Sequence, residues 1–544
     1  MVRELEQMLT GESYDDVCRN FQWHIPEHFN IGVDVCDKWA RGRDRLALIH
    51  VGSDEKEKKY SFQQLKTLSN RLANTLRAHD IQPSDRVAIL LPQCPEALIA
   101  HIAIYKLGAI VLPLLTLFGH MAIEYRLQDS AAKCVITDSD NLDKIIQARQ
   151  NLPHLELILA IGSGGEDGVL DFENSLAAGS DHFHAVNTLA DDPALIIYTS
   201  GTTGQPKGTL HAHRLLLGIL PGFEFLHNRF PQDGDLLYSP LDWAYIGGSY
   251  DALFPCLHHG VPVLAFRPAK FDPQKSLFMM HKYQVRNFMA VPTVLRIMMQ
   301  AVRQPQKHYG ITLRSATVGG ETLGKELYTW CRETLHVELN EQYGQTECDL
   351  VVGFCSALMP IVEGAIGKAI PGHCVEIIDE AGMPVSAGTL GEIAVRAPDP
   401  VMFIRYWNNP ESTRAKFINN RMRTGDYGSK DAHGYFWFSG RRDDIIESGG
   451  YRIGPGEIET CLMAHEAVAH ACVLGLPDAI RGEIVKAFIV PKTGIRVDSL
   501  LTENIRDFVK AKLEKHAYPR EIAFLEKMPM TKTGKINKDE LKKS

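Results

Sequence analysis

ALIIYTSGTTGQPKG, residues Ala194 to Gly208, runs a short apolar stretch directly into a loop of glycines and hydroxyls that ends on a lysine. The apolar part suits a buried strand, and the rest has the physics of a phosphate cradle. Gly201, Gly204 and Gly208 let backbone approach a ligand closely and turn N–H groups inward. Thr199, Ser200, Thr202 and Thr203 add hydroxyl donors, and Lys207 adds a point charge. The loop is not of the GxxxxGK[ST] kind, which would need glycine at Pro206 and a hydroxyl at Gly208. An ordinary P-loop kinase is thereby disfavoured.

Outward from this loop, RVAILLP (Arg86 to Pro92), CVITD, LILAIG and VPVLAF are apolar runs separated by helix-length segments. That rhythm is the one of parallel sheets covered on both faces. SFQQLKTLSNRLANTLRAHD opens on Ser61 as a candidate N-cap and sets Leu65, Leu68, Leu72 and Leu76 on one helical stripe. The most apolar stretch, Leu98 to Phe118, carries His101, Lys106 and Pro113, so it reads as a buried helix and a strand, and no membrane span is expected. From Cys374 to Ala397 the pattern becomes strand, turn, strand, an antiparallel section. After Gly440 a charged and glycine-rich stretch leads into a new α+β pattern, with strands near AHACVLG and VKAFIVP and a helix from Ser499 to His516. The expected fold is α/β: a large body over residues 1–440, built of parallel-sheet subdomains plus a small antiparallel section, and a smaller α+β domain over residues 441–544.

Composition narrows the function. A 45% hydrophobic and 23% charged chain of 544 residues is an ordinary globular protein. Its net charge of −8 makes it a poor polyanion binder, so nucleic acid is not an expected partner. Eleven cysteines without a CxxC pair suit reduced thiols better than disulfides or a zinc module. The opening MVRELEQMLTGESYDD has no apolar core of a secretory signal, and a cytoplasmic protein is expected.

Six further motifs follow the glycine-rich loop: GGE (Gly319 to Glu321), NEQYGQTE (Asn340 to Glu347), TGD (Thr424 to Asp426), GRRDD (Gly440 to Asp444), SGGYRIGPGEIE (Ser448 to Glu459) and TKTGKI (Thr531 to Ile536). In this order and spacing they resemble the adenylate-forming superfamily of acyl-CoA synthetases, peptide-synthetase adenylation domains and luciferases, and most of all the medium-chain acyl-CoA synthetases. The resemblance covers nearly the whole chain. It implies an enzyme that uses ATP, Mg²⁺ and coenzyme A to convert a small carboxylic acid first to an acyl adenylate, then to a thioester. Oligomeric state stays open, with a homo-oligomer possible.

The same resemblance implies roles. Gly320 and Glu321 would line the adenine site, as would Tyr343 within the run Glu341, Gln342, Tyr343, Gly344, Gln345. Thr346 would meet the α-phosphate and Glu347 would hold Mg²⁺, a hard cation that prefers oxygen. Asp426 would accept from the ribose hydroxyls, with Arg441 close by. Lys535 would offset charge as the acid attacks, making it, Thr346 and Glu347 the catalytic set. Asp443 matches the hinge about which the small domain turns. Gly449, Gly450 and Tyr451 would line the pantetheine tunnel, with Arg452, Arg481 and Arg520 toward coenzyme A phosphates. Glu447 departs from the family, which places lysine or an uncharged polar residue there. Acetyl-CoA synthetases fill the acid pocket with tryptophan where this chain has Gly344, so a larger acid is implied, facing Trp243, Tyr245, Ala290, Val291 and Gly319. Trp243 and Tyr245 are equally well read as core. His211 and His213 read as structural. Two other functions stay open: an adenylating enzyme that loads a separate carrier protein, with no carrier segment seen after Lys535, and a nucleotide-binding sensor without activity.

Overall fold

The computed structural model describes residues 8–41, 44–162, 166–199, 205–268, 270–321, 323–441, 444, 446–448, 451–478, 482–512, 518–531 and 536–543. Up to Tyr406 the chain is organised mainly on two large sheets. One has eight strands in the order Arg405–Tyr406, Lys207–Ala212, Pro193–Thr199, Ile110–Pro113, Arg86–Leu90, Cys134–Asp138, Leu157–Ile161 and Leu170–Asp171. It is parallel from Pro193–Thr199 onward and antiparallel at the Lys207–Ala212 side. The other has nine strands, with Leu339–Gln345, Ser315–Gly319, Asn287–Ala290, Leu237–Tyr238, Val263–Phe266 and Leu46–Val51 running parallel at its centre. Every apolar run read as a strand falls in one of these two sheets or in the smaller ones described below.

Two helices lie within the largest hydrophobic cluster, and both are buried nearly all round, the pattern of a helix without a solvent face. Pro95–Leu107 starts on a proline at its first turn and ends at Gly108, whose φ of +73° favours glycine. All twelve residues of Leu215–Leu226 are buried. Gly218 and Gly222 let that helix touch its neighbours: a Cβ on Gly218 would lie 2.7 Å from Val401 N, and one on Gly222 2.8 Å from Leu350 Cβ. This packing sets the spacing between the strand Cys348–Gly353 and the segment that leads to Tyr406. The stripe on Phe62–Ala78 buries Leu65, Leu72 and Leu76, and Ser61 caps it in a reciprocal box with Gln64.

An antiparallel sheet joins Val375–Ile378, Gly391–Arg396, Arg421–Lys430 and Phe417–Ile418, with Phe436–Arg441 pairing the long strand Arg421–Lys430. The last sheet lies wholly after Arg441: Tyr451–Ile453, Ile446–Ser448, Gly482–Pro491, Val468–Asp478, and Glu521–Phe524 parallel to Gly482–Pro491. The C-terminal helix is described over Ser499–Lys512. Among the described residues no helix is long and apolar enough to cross a membrane, and the eleven cysteines are free thiols.

Lys106 ends up fully buried in the central helix. Its ammonium donates to Ser69 Oγ and Asn70 Oδ1, each at 2.9 Å, and lies 2.6 Å from Asp37 Oδ1. Removing one partner of such a pair strands the other charge, at a cost of about 3 kcal/mol. Lys106→Met is expected to lower the thermal unfolding midpoint by several degrees, and adding Asp37→Asn to recover part of that loss.

Candidate active site

In the nine-stranded sheet the register sets Ala290 beside Val318 and Gly319 beside Gln342, so the C-terminal ends of three parallel strands lie together. Ligands of open α/β sheets collect at such ends. Ala290, Val291, Gly319, Gly320, Tyr343 and Gly344 are all carried there. Leu339–Gln345 then turns through Thr346 and Glu347 alone and returns as Cys348–Gly353, with Gln345 opposite Cys348. EQYGQTE is thus a tight hairpin rather than an open loop, and Glu347 is buried in its turn.

Tyr406 donates its hydroxyl to Glu347 Oε1, while the ammonium of Lys207 sits 5.4 Å from the centre of the Tyr406 ring. The Glu347 carbonyl accepts from Phe403 N–H at 2.9 Å. Lys207 opens the strand Lys207–Ala212, paired with Thr199 at the end of its neighbour, so the glycine-rich loop closes a hairpin of the first sheet. Residues 200–204 of that loop lie outside the described residues. Gly208 packs against Tyr198, Ile196 and Trp407, where a Cβ would meet atoms at 3.0 to 3.2 Å.

The antiparallel sheet brings in Asp426. It is nine-tenths buried, and burial holds its carboxyl above the usual carboxylate range. Tyr343 Oη donates to Asp426 Oδ2 at 2.8 Å and Gln345 Nε2 to the same oxygen at 2.6 Å. Arg441, directly across the strand pair, approaches Oδ1 with Nε at 3.4 Å. Lys416 stands near both carboxylates, 4.0 Å from Glu347 Oε1 and 3.5 Å from Gln345 Oε1. Motif reading missed both Tyr406 and Lys416, because the stretch from 398 to 423 contains none of the family's short signatures.

Other residues nominated from sequence sit differently. Glu341 is buried and accepts from Tyr328 Oη at 2.8 Å; burial pushes its carboxyl up to about 8. Glu321 accepts from Thr293 Oγ1 at 2.8 and 2.9 Å and from Arg296 at 3.2 Å. Trp243 is buried within the main cluster, whereas Tyr245 is 39% exposed. His211 and His213 are buried, which pushes both down to about 3. Arg520 directly precedes the strand Glu521–Phe524 of the last sheet, its guanidinium 5.1 Å from the Tyr518 ring centre and its backbone N–H donating to Val485 O. Glu447 pairs with Arg452 there, and their side chains, like that of Tyr451, are outside the described residues. So are Asp443, Gly449, Gly450, Arg481 and Lys535.

Polar groups lie behind the residues read from sequence as an apolar and aromatic acid pocket. Gln342 Nε2 donates to Asp251 Oδ2 at 2.9 Å, and Asp251 lies against Asp349. Burial and this neighbour push the Asp251 carboxyl well above the ordinary range, and burial raises that of Asp349 as well. A Cβ on Gly344 would lie 2.4 Å from Asp349 Oδ1 and 2.5 Å from Leu350 N. Glycine is therefore demanded at 344 by the hairpin itself.

Two family models divide the chain's matches: residues 36–407 fit the AMP-binding enzyme family and residues 457–535 the AMP-binding enzyme C-terminal domain. The chain belongs to the AMP-binding enzymes. Acyl-coenzyme A synthetase ACSM4, mitochondrial, of Mus musculus is 35% identical over 533 residues, covering 95% of this chain and 91% of that one. Acetyl-coenzyme A synthetase of Bacillus subtilis (strain 168) is 32% identical over 548 residues, covering 98% and 95%. Among solved structures, the anthranilate CoA ligase AuaEII in complex with anthranoyl-AMP superposes with a TM-score of 0.86 at 28% identity, covering 95% of this chain and 98% of that one. ATP-bound MatB from Rhodopseudomonas palustris gives 0.83 at 28%, covering 94% and 98%. This AMP-binding enzyme is an acyl-CoA synthetase, an AMP-forming acid–CoA ligase with ATP and coenzyme A as substrates.

The position of Glu341 in this acyl-CoA synthetase has a consequence for stability. Its folded pKa is raised, so its contribution is complete below the ordinary carboxylate range and is lost as pH rises through about 8. Glu224, also raised to about 8 by burial, acts in the same direction. The melting temperature is expected to fall between about pH 5 and 8 and to level off above that, and Glu341→Gln to remove part of that fall while matching the wild type only at the acidic end, below the ordinary carboxylate range. Melting curves across this range read the outcome; an unchanged slope in the variant would sink the assignment.

Proposed function

We propose that this ligase activates a medium-chain, branched or aryl carboxylic acid. The observation that carries the reading is the grouping of Tyr343, Gln345 and Glu347, along one strand and turn, with Asp426 of the antiparallel sheet. It offers a carboxylate for ribose at one end and another for a cation at the other. Tyr343 and Gln345 both occupy Asp426 Oδ2, which leaves Oδ1, beside Arg441, for the sugar hydroxyls. Thr346 and Lys207, with Thr199, Ser200, Gly201, Thr202, Thr203 and Gly204, take the phosphates in this reading. Gly320 lies at the adenine edge, with Glu321 and Glu341 as supports rather than ligand contacts.

Glu347 suits Mg²⁺. That ion commonly takes only one or two protein carboxylates and completes its shell with waters and substrate phosphates. When bound, the ion would neutralise phosphate charge. The remaining task falls to this chain's own residues: they hold acid and nucleotide in line and stabilise charge with Lys207 and Lys535, without a protein nucleophile.

We place the division between the large and small domains at 440/441, with Asp443 as hinge. The coenzyme A path runs along Gly449, Gly450, Tyr451 and Arg452, toward Arg481 and Arg520. Ala290, Val291, Gly319, Trp243 and Tyr245, the apolar and aromatic set read about Gly344, favour an acid larger than acetate, and AuaEII, a ligase for an aryl acid, has the same fold. We also propose a cytoplasmic location, which the free thiols suit.

AMP release from ATP, with and without coenzyme A, is the test, across acetate, butyrate, 2-methylbutyrate, octanoate, benzoate and a long-chain acid. Turnover that needs coenzyme A and prefers one of the middle four is expected; preference for acetate would overturn the acid class. Pyrophosphate without thioester would indicate carrier loading, and no AMP at all a sensor. Lys535→Ala is expected to lose adenylate formation by at least a hundredfold yet convert supplied acyl adenylate to thioester at a near wild-type rate. Equal loss of both half-reactions would remove Lys535 from its role.

A further inference from the structure

We infer that Lys416 is a nucleotide-binding residue that contacts the α-phosphate, an inference that rests on the nucleotide reading above. Lys416 follows the short helix Pro410–Ala415, and its side chain is only 18% exposed. Its ammonium lies near both carboxylates of the site, 4.0 Å from Glu347 Oε1 and close enough to Asp426 for its charge to act on that carboxyl. Its contacts are all long: Thr424 O at 3.4 Å, Gln345 Oε1 at 3.5 Å and Glu347 Oε1 at 4.0 Å. Among the described residues it has no closer acceptor. An ammonium is a strongly hydrated point charge with three donors, and withdrawing it from water without short partners is unfavourable. The site thus holds a cation whose hydrogen-bonding capacity is largely unused, and anionic oxygens would complete it.

Its place selects the phosphate. Gln345, which Lys416 touches, also binds Asp426 at 2.6 Å, the carboxylate assigned to ribose. Glu347, on the other side, is assigned to the cation on the departing phosphates. The phosphate between ribose and pyrophosphate is the α-phosphate, and it is present in ATP, acyl adenylate and AMP alike. Lys416 therefore acts in both half-reactions, unlike Lys535. A merely structural Lys416, which neutralised Glu347 and Asp426, would affect any adenine ligand equally.

The comparison of AMP with adenosine separates these. Calorimetry on the full chain is expected to show AMP bound at least tenfold more weakly by Lys416→Met than by wild type, with adenosine affinity within twofold. Lys416→Arg should keep AMP binding within about threefold of wild type. The KM for ATP should rise in Lys416→Met, and conversion of supplied acyl adenylate should slow. Unchanged AMP binding, or an equal loss for AMP and adenosine, would overturn the inference. If the Met variant does not fold, Lys416→Gln gives the same comparison. A wild type that forms no acid-dependent AMP would sink the parent reading; normal wild-type turnover with unaltered AMP binding in the variant would sink only the role of Lys416.

Discussion

The turn Thr346–Glu347 is the constraint on which the site depends. Its carbonyl accepts from Phe403 N–H and its carboxylate from Tyr406, whose strand Arg405–Tyr406 pairs with Lys207–Ala212 of the other large sheet. One buried glutamate therefore ties the hairpin of the nine-stranded sheet to the edge of the eight-stranded one. A buried carboxylate needs hydrogen-bond partners to be tolerated, and meeting that need fixes the distance between the two halves of the site. The contact of Gly218 with Val401 and of Gly222 with Leu350 holds the same spacing from below.

Around this turn the molecule buries many acidic groups. Asp426, Glu341, Asp251 and Asp349 all have carboxyls raised by burial, and each has a polar partner. Such an arrangement makes the site rigid before a ligand arrives, the condition under which fixed dipoles and charges stabilise developing charge without reorganising. It also makes the fold dependent on pH, because the raised carboxyls favour the folded state only while protonated. Preorganisation and stability are drawn from the same residues.

Much of this was legible along the chain. Periodicity placed the helix capped at Ser61, the buried helix and strand within Leu98 to Phe118, and the strands from Arg86 to Phe266, because alternation and apolar runs are local properties. The motifs named Tyr343, Glu347, Asp426 and Arg441, and these do converge. Glu341 and Tyr343 stand two residues apart in one motif, yet one supports Tyr328 and the other meets Asp426, a difference that depends on which elements pack beside the strand.

The sequence by itself determined the family, the chemistry of the loop and the local elements, since close spacing of glycines, hydroxyls and charges is written in neighbouring residues. Only the tertiary structure decided that Tyr406 and Lys416, about 60 to 70 residues beyond the EQYGQTE motif, complete it. It also decided that a carboxyl pair lies behind Gly344. Those contacts arise from sheet register and from helices packed through glycine, long-range outcomes of burial that no short stretch of the chain encodes.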